Sequence, residues 1–334
     1  MFTVIVVAHE WGHYITAKKY GVLVHEFAVG MGPVIWSKQK GETKYSLRLF
    51  PIGGYCSMEE ENGESNNPRA MASKKPFQKL VIVSAGAIMN FLLACLILIF
   101  VTGYKGYPSN IVETLEPNMP AIEAGLQPGD KVIKMDGVVV ENLSDISDKI
   151  VDNEKEYLLT VERGNDQIEI AITSRWMPKE DRARFGFAPQ MIHNNILQNI
   201  KGGVLWGCEM IVSVMDSFVK LFTGALDMDE VSSIVGVVDK TSEIWDSSME
   251  MEGVGMAISN MMILAAVLSA NLAVVNLFPL PALDGGRIIF ILIEILRGRP
   301  VSQDKEGFVH FIGFVLLMVL TVILIFKDVM RLGA

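Results

Sequence analysis

Apolar residues gather along this chain in long runs separated by polar or alternating stretches. The first run is residues 1–17. The second, Leu80–Val101, is long enough for a helix to cross the roughly 30 Å hydrocarbon core of a bilayer. The third, Gly255–Phe278, is broken by Pro279 and Pro281, and the fourth, Phe308–Phe326, ends at Lys327 and Asp328. Each predicts a membrane helix. A further stretch, Val204–Phe222, carries Glu209, Asp216 and Lys220 on one side. That pattern predicts an amphipathic helix lying at an interface or against the protein. Residues 1–14 would rise only about 20 Å as a helix, so the true start is expected upstream of Met1.

The stretches between the runs have other periods. Residues 22–55 alternate, and Val34–Lys38 and Lys44–Leu49 predict short strands. A sheet next to the membrane must pair its backbone groups or lie against protein. Residues 59–73 are polar and contain Asn66, Asn67 and Pro68, which predicts a loop. Residues 106–174 predict a compact soluble domain. Its strands are Ile111–Leu115, Lys131–Met135, Val138–Val140, Glu156–Val161 and Gln167–Ile172, with turns at Gly125, Gly129 and Asp136-Gly137 and a helix at Asp145–Val151. A further strand-rich piece is expected at Arg184–Pro189.

Basic residues orient these elements. Lys18, Lys19, Lys38, Lys40, Lys44 and Arg48 follow the first run, Lys74, Lys75 and Lys79 precede the second, and Arg287, Arg297 and Arg299 lie between the third and fourth. The positive-inside rule places those connections in the cytoplasm, and residues 105–250 and both termini outside.

Composition narrows the class. Half of the 334 residues are hydrophobic and mean hydropathy is +0.35, which marks a membrane protein. A formal net charge of −9 argues against nucleic acid as a partner. Cys56, Cys95 and Cys208 share no CxxC spacing.

The chemistry sits in His9-Glu10-Trp11-Gly12-His13. HExxH on a helix puts His9 and His13 one turn apart on one face, as zinc ligands, with Glu10 beside the metal as the general base. Ionisable groups are costly in hydrocarbon, so their place in an apolar run indicates function. The third run ends in Asn276-Leu277-Phe278-Pro279-Leu280-Pro281-Ala282-Leu283-Asp284-Gly285-Gly286. Two prolines break the helix, and Gly-Gly allows unusual dihedrals. Asp284 then has two readings: third zinc ligand beside the histidines, or cap of a helix starting near Arg287. Beside HExxH the ligand reading is the better one. Asn276 either stabilises an oxyanion or satisfies the broken backbone. His25, His193 and His310 read as structural, Asn90 as a tie between helices, and the methionines as packing.

Together, HEWGH, the 276–286 motif and the central domain resemble the site-2 protease family of zinc intramembrane metalloproteases. The likeness is greatest to the bacterial branch that cuts anti-sigma factors. It implies a polytopic α-helical membrane protein, with about four transmembrane helices, a membrane-associated β-sheet and an inserted extracytoplasmic PDZ domain. The implied division is 1–104 first half of the protease core, 105–175 PDZ domain, 176–250 post-PDZ and amphipathic segment, and 251–334 second half of the core. Pro51-Ile52-Gly53-Gly54-Tyr55 resembles the family's substrate-placing hairpin, and Ser84-Ala85-Gly86-Ala87 with Asn90-Phe91 its second-helix signature. Ala124–Asp130 resembles a PDZ stretch, and such a domain is implied to admit trimmed substrates. Ile234-Val235-Gly236-Val237 stands where the family often has Gly-Pro-Val-Gly.

The implied activity is zinc-dependent cleavage of single-span membrane proteins in the bacterial cell membrane, with anti-sigma factor remnants and the lipid bilayer as partners. Zinc is expected on His9, His13 and Asp284, with Glu10 and Asn276 as the expected catalytic residues. A non-enzymatic membrane scaffold presenting a PDZ domain is the alternative, and it predicts no zinc. A soluble metallopeptidase would lack the other apolar runs, and a broken-helix transporter would not need HExxH.

Overall fold

The computed structural model describes residues 1–60, 66–140, 146, 150, 155–177, 182–192, 196–223, 234–251 and 253–332. The helix expected at Asp145–Val151 and His193 fall mostly or wholly outside them. The chain divides into two compact units, Met1–Val101 with Gly203–Ala334, and Thr102–Gly202.

The first unit opens with α1 (Phe2–Lys19), whose last turn carries Lys18 and Lys19, favourable charges at a helix C-terminus. β1 (Val24–Lys40) and β2 (Thr43–Met58) follow as one antiparallel pair, much longer than the short strands expected. Ala28 is paired with Tyr55 and also with Ser46, so the first half of β1 lies between two stretches of β2. The path needs Gly30 and Gly32 at φ +85°, a region glycine enters without a Cβ penalty. A Cβ on Gly30 would meet the Phe50 carbonyl oxygen at 2.5 Å. Ile35, Trp36, Leu49, Phe50 and Ile52 of this sheet are exposed.

α2 (Pro76–Lys105) packs Ile82 and Val83 against Ala17, Val22, Phe27 and Cys56, forming the core that joins α1, the sheet and α2. Higher on α2, Ala94 and Leu98 pack on Ala266 and Ala270. Four small or medium side chains there let two apolar helices approach closely.

The second unit has β3 (Tyr107–Leu115), α3 (Pro120–Glu123), β4 (Lys131–Met135), β5 (Val138–Val139), β6 (Glu156–Arg163), β7 (Asp166–Thr173), β8 (Arg175–Met177), β9 (Arg182–Arg184) and β10 (Phe187–Ile192). Its main sheet runs β10-β3-β4-β6-β7, with β5 on β4. Val132, Leu159, Val161 and Ile172 are buried in its core together with Ala183 and Phe185. The boundary expected at residue 175 therefore falls inside this unit. The later strand, expected as a separate piece, hydrogen-bonds β3. Asp130 is buried and held by Arg163 at 2.7 Å. Burial pushes its carboxyl up, but the Arg163 guanidinium and the Gln127 N–H outweigh that and hold it below the ordinary range.

The chain then forms α4 (Ile196–Thr223), α5 (Ile234–Met251), α6 (Val254–Leu277), α7 (Asp284–Arg297) and α8 (Gln303–Leu332). Among the described residues, four helices are long and apolar enough to cross a membrane: α2, α4, α6 and α8. They are not the four expected, because α4 is among them and α1 is not. Glu209, Asp216 and Lys220 still fall on one face of α4, as the amphipathic reading required.

Candidate metal centre

Three segments far apart in sequence converge here. HExxH lies in the middle of α1, and four-residue spacing turns both imidazoles to one face. His9 and His13 are 8% and 7% exposed. Their neighbour is the first turn of α7, where Asp284 is the first helical residue. The N-terminal helix dipole favours a carboxylate there.

The break before Asp284 is built differently from the expectation. α6 ends at Leu277, Phe278 is extended, and the left-handed residue in the turn is Ala282, at φ +74°. Gly285 and Gly286 do not take positive φ; they permit contact instead. A Cβ on Gly285 would lie 1.8 Å from the Phe278 carbonyl oxygen, and one on Gly286 2.6 Å from that of Leu280. Asp284 does not serve as the N-cap of α7, a position occupied by Leu283, and the helix begins three residues before Arg287.

The Nε2 atoms of His9 and His13 are 3.2 Å apart. Asp284 Oδ2 lies 3.2 Å from each of them. A tetrahedral zinc ion with bonds of roughly 2.0–2.1 Å sets its ligand atoms about 3.3 Å apart. The triangle has the size that such an ion requires. Asp284 Oδ2 is buried and makes no hydrogen bond, which is costly for a carboxylate oxygen without a cation. The donor set, two imidazoles and one carboxylate, is a common one for catalytic zinc, so the residues fit the metal.

Neighbouring groups orient the donors. His13 Nδ1 lies 2.8 Å from the Ile82 carbonyl oxygen. Donation there fixes the proton on Nδ1 and leaves Nε2 with its lone pair free for a metal. Gly86 of α2 sits directly over both rings, and a Cβ on it would meet His13 Nε2 at 2.4 Å and His9 Cε1 at 2.6 Å. Gly12 faces α2 in the same way, 2.3 Å from the Ala85 carbonyl oxygen for an added Cβ. Asn90 is fully buried and its amide nitrogen lies 3.5 Å from His9 Nδ1. Gly86 and Asn90, expected only as part of a second-helix signature and, for Asn90, as a tie between helices, both lie against the imidazole rings.

Glu10, His9, His13 and Asp284 line one cavity of about 710 Å³, together with Tyr55, Cys56, Arg287 and His310. The Glu10 carboxylate accepts the Cys56 backbone N–H, so β2 ties down this side chain. Asn276 is buried, with its amide nitrogen 3.4 Å from both ring nitrogens of His9. Beside the cavity, Glu26 receives Ser46 Oγ at 2.5 Å, Tyr55 Oη at 2.7 Å and Arg48 at 3.0 Å. Burial raises its pKa, but these donors outweigh burial and hold it at about 2. His25 pairs with Glu59 at the surface, away from the cavity lining.

The chain is similar to known proteins over nearly its whole length. The model of peptidase family M50 matches residues 1–320. A Clostridium acetobutylicum protein is 34% identical over 330 residues, covering 98% of this chain and 95% of its own. The Bacillus subtilis regulator of sigma-W protease RasP is 30% identical over 420 residues, covering 99% and 97%. The zinc metalloprotease RasP of Bacillus licheniformis is 30% identical over 418 residues, with the same coverage. Among solved structures, the PDZ domain of an SdrC-like protein from Listeria monocytogenes aligns at 18% identity and TM-score 0.22, covering 24% of this chain and 86% of that one.

Proposed function

Because the chain belongs to peptidase family M50, we propose that this zinc metalloprotease cuts peptide bonds within the membrane-spanning segments of single-span proteins. It is a multi-pass membrane protein by its apolar helices and its family. The observation that carries the proposal is the 3.2 Å triangle of His9, His13 and Asp284, with Glu10 in the same cavity, in a unit built from apolar helices.

Bound zinc supplies Lewis acidity, which makes a water acidic and polarises the scissile carbonyl. His9, His13 and Asp284 would hold it. Glu10 removes the water proton and delivers it to the leaving amine, a transfer worth roughly 10²–10⁴-fold. The Asn276 amide donates to the developing oxyanion. A helical substrate hides its carbonyls in i to i−4 bonds and must open before attack. The exposed edge of β1 and β2, which carries Trp36, Leu49 and Ile52, rests in the membrane interface and pairs with the opened stretch.

In this reading the unit Thr102–Gly202 is a PDZ domain outside the cytoplasm. Lys18, Lys19, Lys74 and Lys75 lie on the cytoplasmic side. The domain limits access to substrates whose outer portion has already been trimmed. The relative named as a regulator of sigma-W protease supports anti-sigma factors as the substrate class. The test compares membrane peptides in cells carrying wild type or Glu10→Gln. Single-span fragments that accumulate only with Glu10→Gln are expected; identical peptide sets in the two strains would overturn the reading.

A further inference from the structure

His310 of α8 belongs neither to the HExxH motif nor to the 276–286 motif, yet it touches the turn that delivers Asp284. Its Nδ1 accepts the Ala282 backbone N–H at 2.8 Å. Ala282 is left-handed at φ +74°, a conformation that an L residue with a Cβ leaves unless its surroundings hold it. One turn further along α8, Gly313 receives Pro281: an added Cβ would lie 2.3 Å from Pro281 Cβ and 2.6 Å from its carbonyl oxygen. Positions 310 and 313 share one face of the helix. The two contacts therefore grip successive residues of the same turn, just ahead of Asp284.

The ring itself is seated from several sides. It packs on Phe290 of α7, with centroids 5.6 Å apart, and its Cε1 would be 3.2 Å from a Cβ on Gly286. Because Nδ1 accepts, the ring proton sits on Nε2. That atom is buried without a hydrogen bond, and Glu306 Oε1, one turn earlier, is 4.0 Å away. An acceptor at Nδ1 is therefore the polar service this imidazole performs in the turn.

We propose that His310 is a positioning residue for the metal centre: by accepting the Ala282 N–H it holds the left-handed turn that sets Asp284 Oδ2 against His9 and His13. This rests on the reading of Asp284 as a ligand. It assigns α8, which contributes no donor to the 3.2 Å triangle, a part in metal affinity.

The test is zinc affinity of the purified full chain in detergent, measured by competition with a chromogenic chelator, on three variants. His310→Phe keeps a ring against Phe290 and removes the acceptor; zinc affinity is expected to fall tenfold or more, within the range found when groups behind metal ligands are removed. His310→Asn places an amide oxygen near the position of Nδ1 and is expected to restore affinity to within about threefold of wild type, on the same reasoning. Asp284→Ala calibrates the ligand. If Asp284→Ala loses zinc while His310→Phe holds it as wild type does, the positioning role is wrong and the ligand reading stands. If Asp284→Ala holds zinc unchanged, the ligand reading itself fails. Equal losses in the Phe and Asn variants would also overturn the proposal, because packing rather than acceptance would then be what matters. Should the Phe variant fail to fold, His310→Leu, which has the branching of Asn without an acceptor, replaces it with the same expected loss.

Discussion

Asp284 Oδ2 lies 3.2 Å from His13 Nε2, although the two residues stand near opposite ends of the chain. The contact unites an HExxH motif on α1 with a turn forced by two prolines after α6. Either motif alone has an ordinary structural explanation. Together, with His9 at the same distance, they leave little that the geometry serves except a cation.

Glu10 separates binding from chemistry. Its carboxylate lines the cavity beside the triangle but is not part of it. Glu10→Gln is expected to retain about one zinc per chain and to lose hydrolysis by roughly 10²–10⁴-fold. Metal content by mass spectrometry and cleavage of a membrane-bound reporter check the two halves. A variant that cleaves at the wild-type rate would remove Glu10 as the base.

Gly86 is expected to be intolerant of any side chain. A Cβ there meets His13 Nε2 at 2.4 Å, and both rings are buried, so the ligands must move to make room. Gly86→Ala is expected to weaken zinc binding at least about tenfold, the scale of damage from disturbing a ligand's surroundings, while helix content by circular dichroism stays near wild type. Unchanged zinc affinity would show that the rings have room to shift.

Much of this was legible in the sequence, and the failures have physical reasons. β4 begins at Lys131 and ends at Met135, as predicted, but Val132 and Met135 are both buried only because a register shift between Val132 and Lys134 interrupts the strict alternation. The residues that converge in the triangle, His9, His13 and Asp284, stood out in the sequence because ionisable groups in apolar runs demand an explanation. The geometry of the 278–286 turn could not. Gly285 and Gly286 suggested the unusual dihedral, yet Ala282 adopts it, since the tight approach of Phe278 and Leu280 needs the glycines elsewhere. His310 was equally invisible, because its partner is a backbone N–H and leaves no side-chain pattern. The extent of the second unit is not a local property of the sequence: β10 finds its partner β3 across the whole domain, a long-range pairing that local alternation does not report.

Glu26 makes stability depend on pH. Its pKa is held at about 2 against an ordinary 4.5. A depressed carboxylate contributes stability that is fully present above 4.5 and is lost as pH falls from 4.5 to about 2. The linkage is on the order of 3 kcal/mol. Thermal unfolding in detergent is expected to show a steeper loss for wild type than for Glu26→Gln across that interval. Parallel curves would mean that Arg48, Tyr55 and Ser46 do not stabilise the charge.

The central claim is zinc-dependent hydrolysis inside a membrane segment, and one measurement tests it most directly. Purified chain is placed in liposomes with a single-span reporter, and the cut position is mapped by mass spectrometry, with and without prior removal of metal by a chelator. Cleavage within the span is expected, absent after chelation and restored by added zinc. A cut only in the soluble portion of the reporter, or cleavage that survives full removal of zinc, would contradict it.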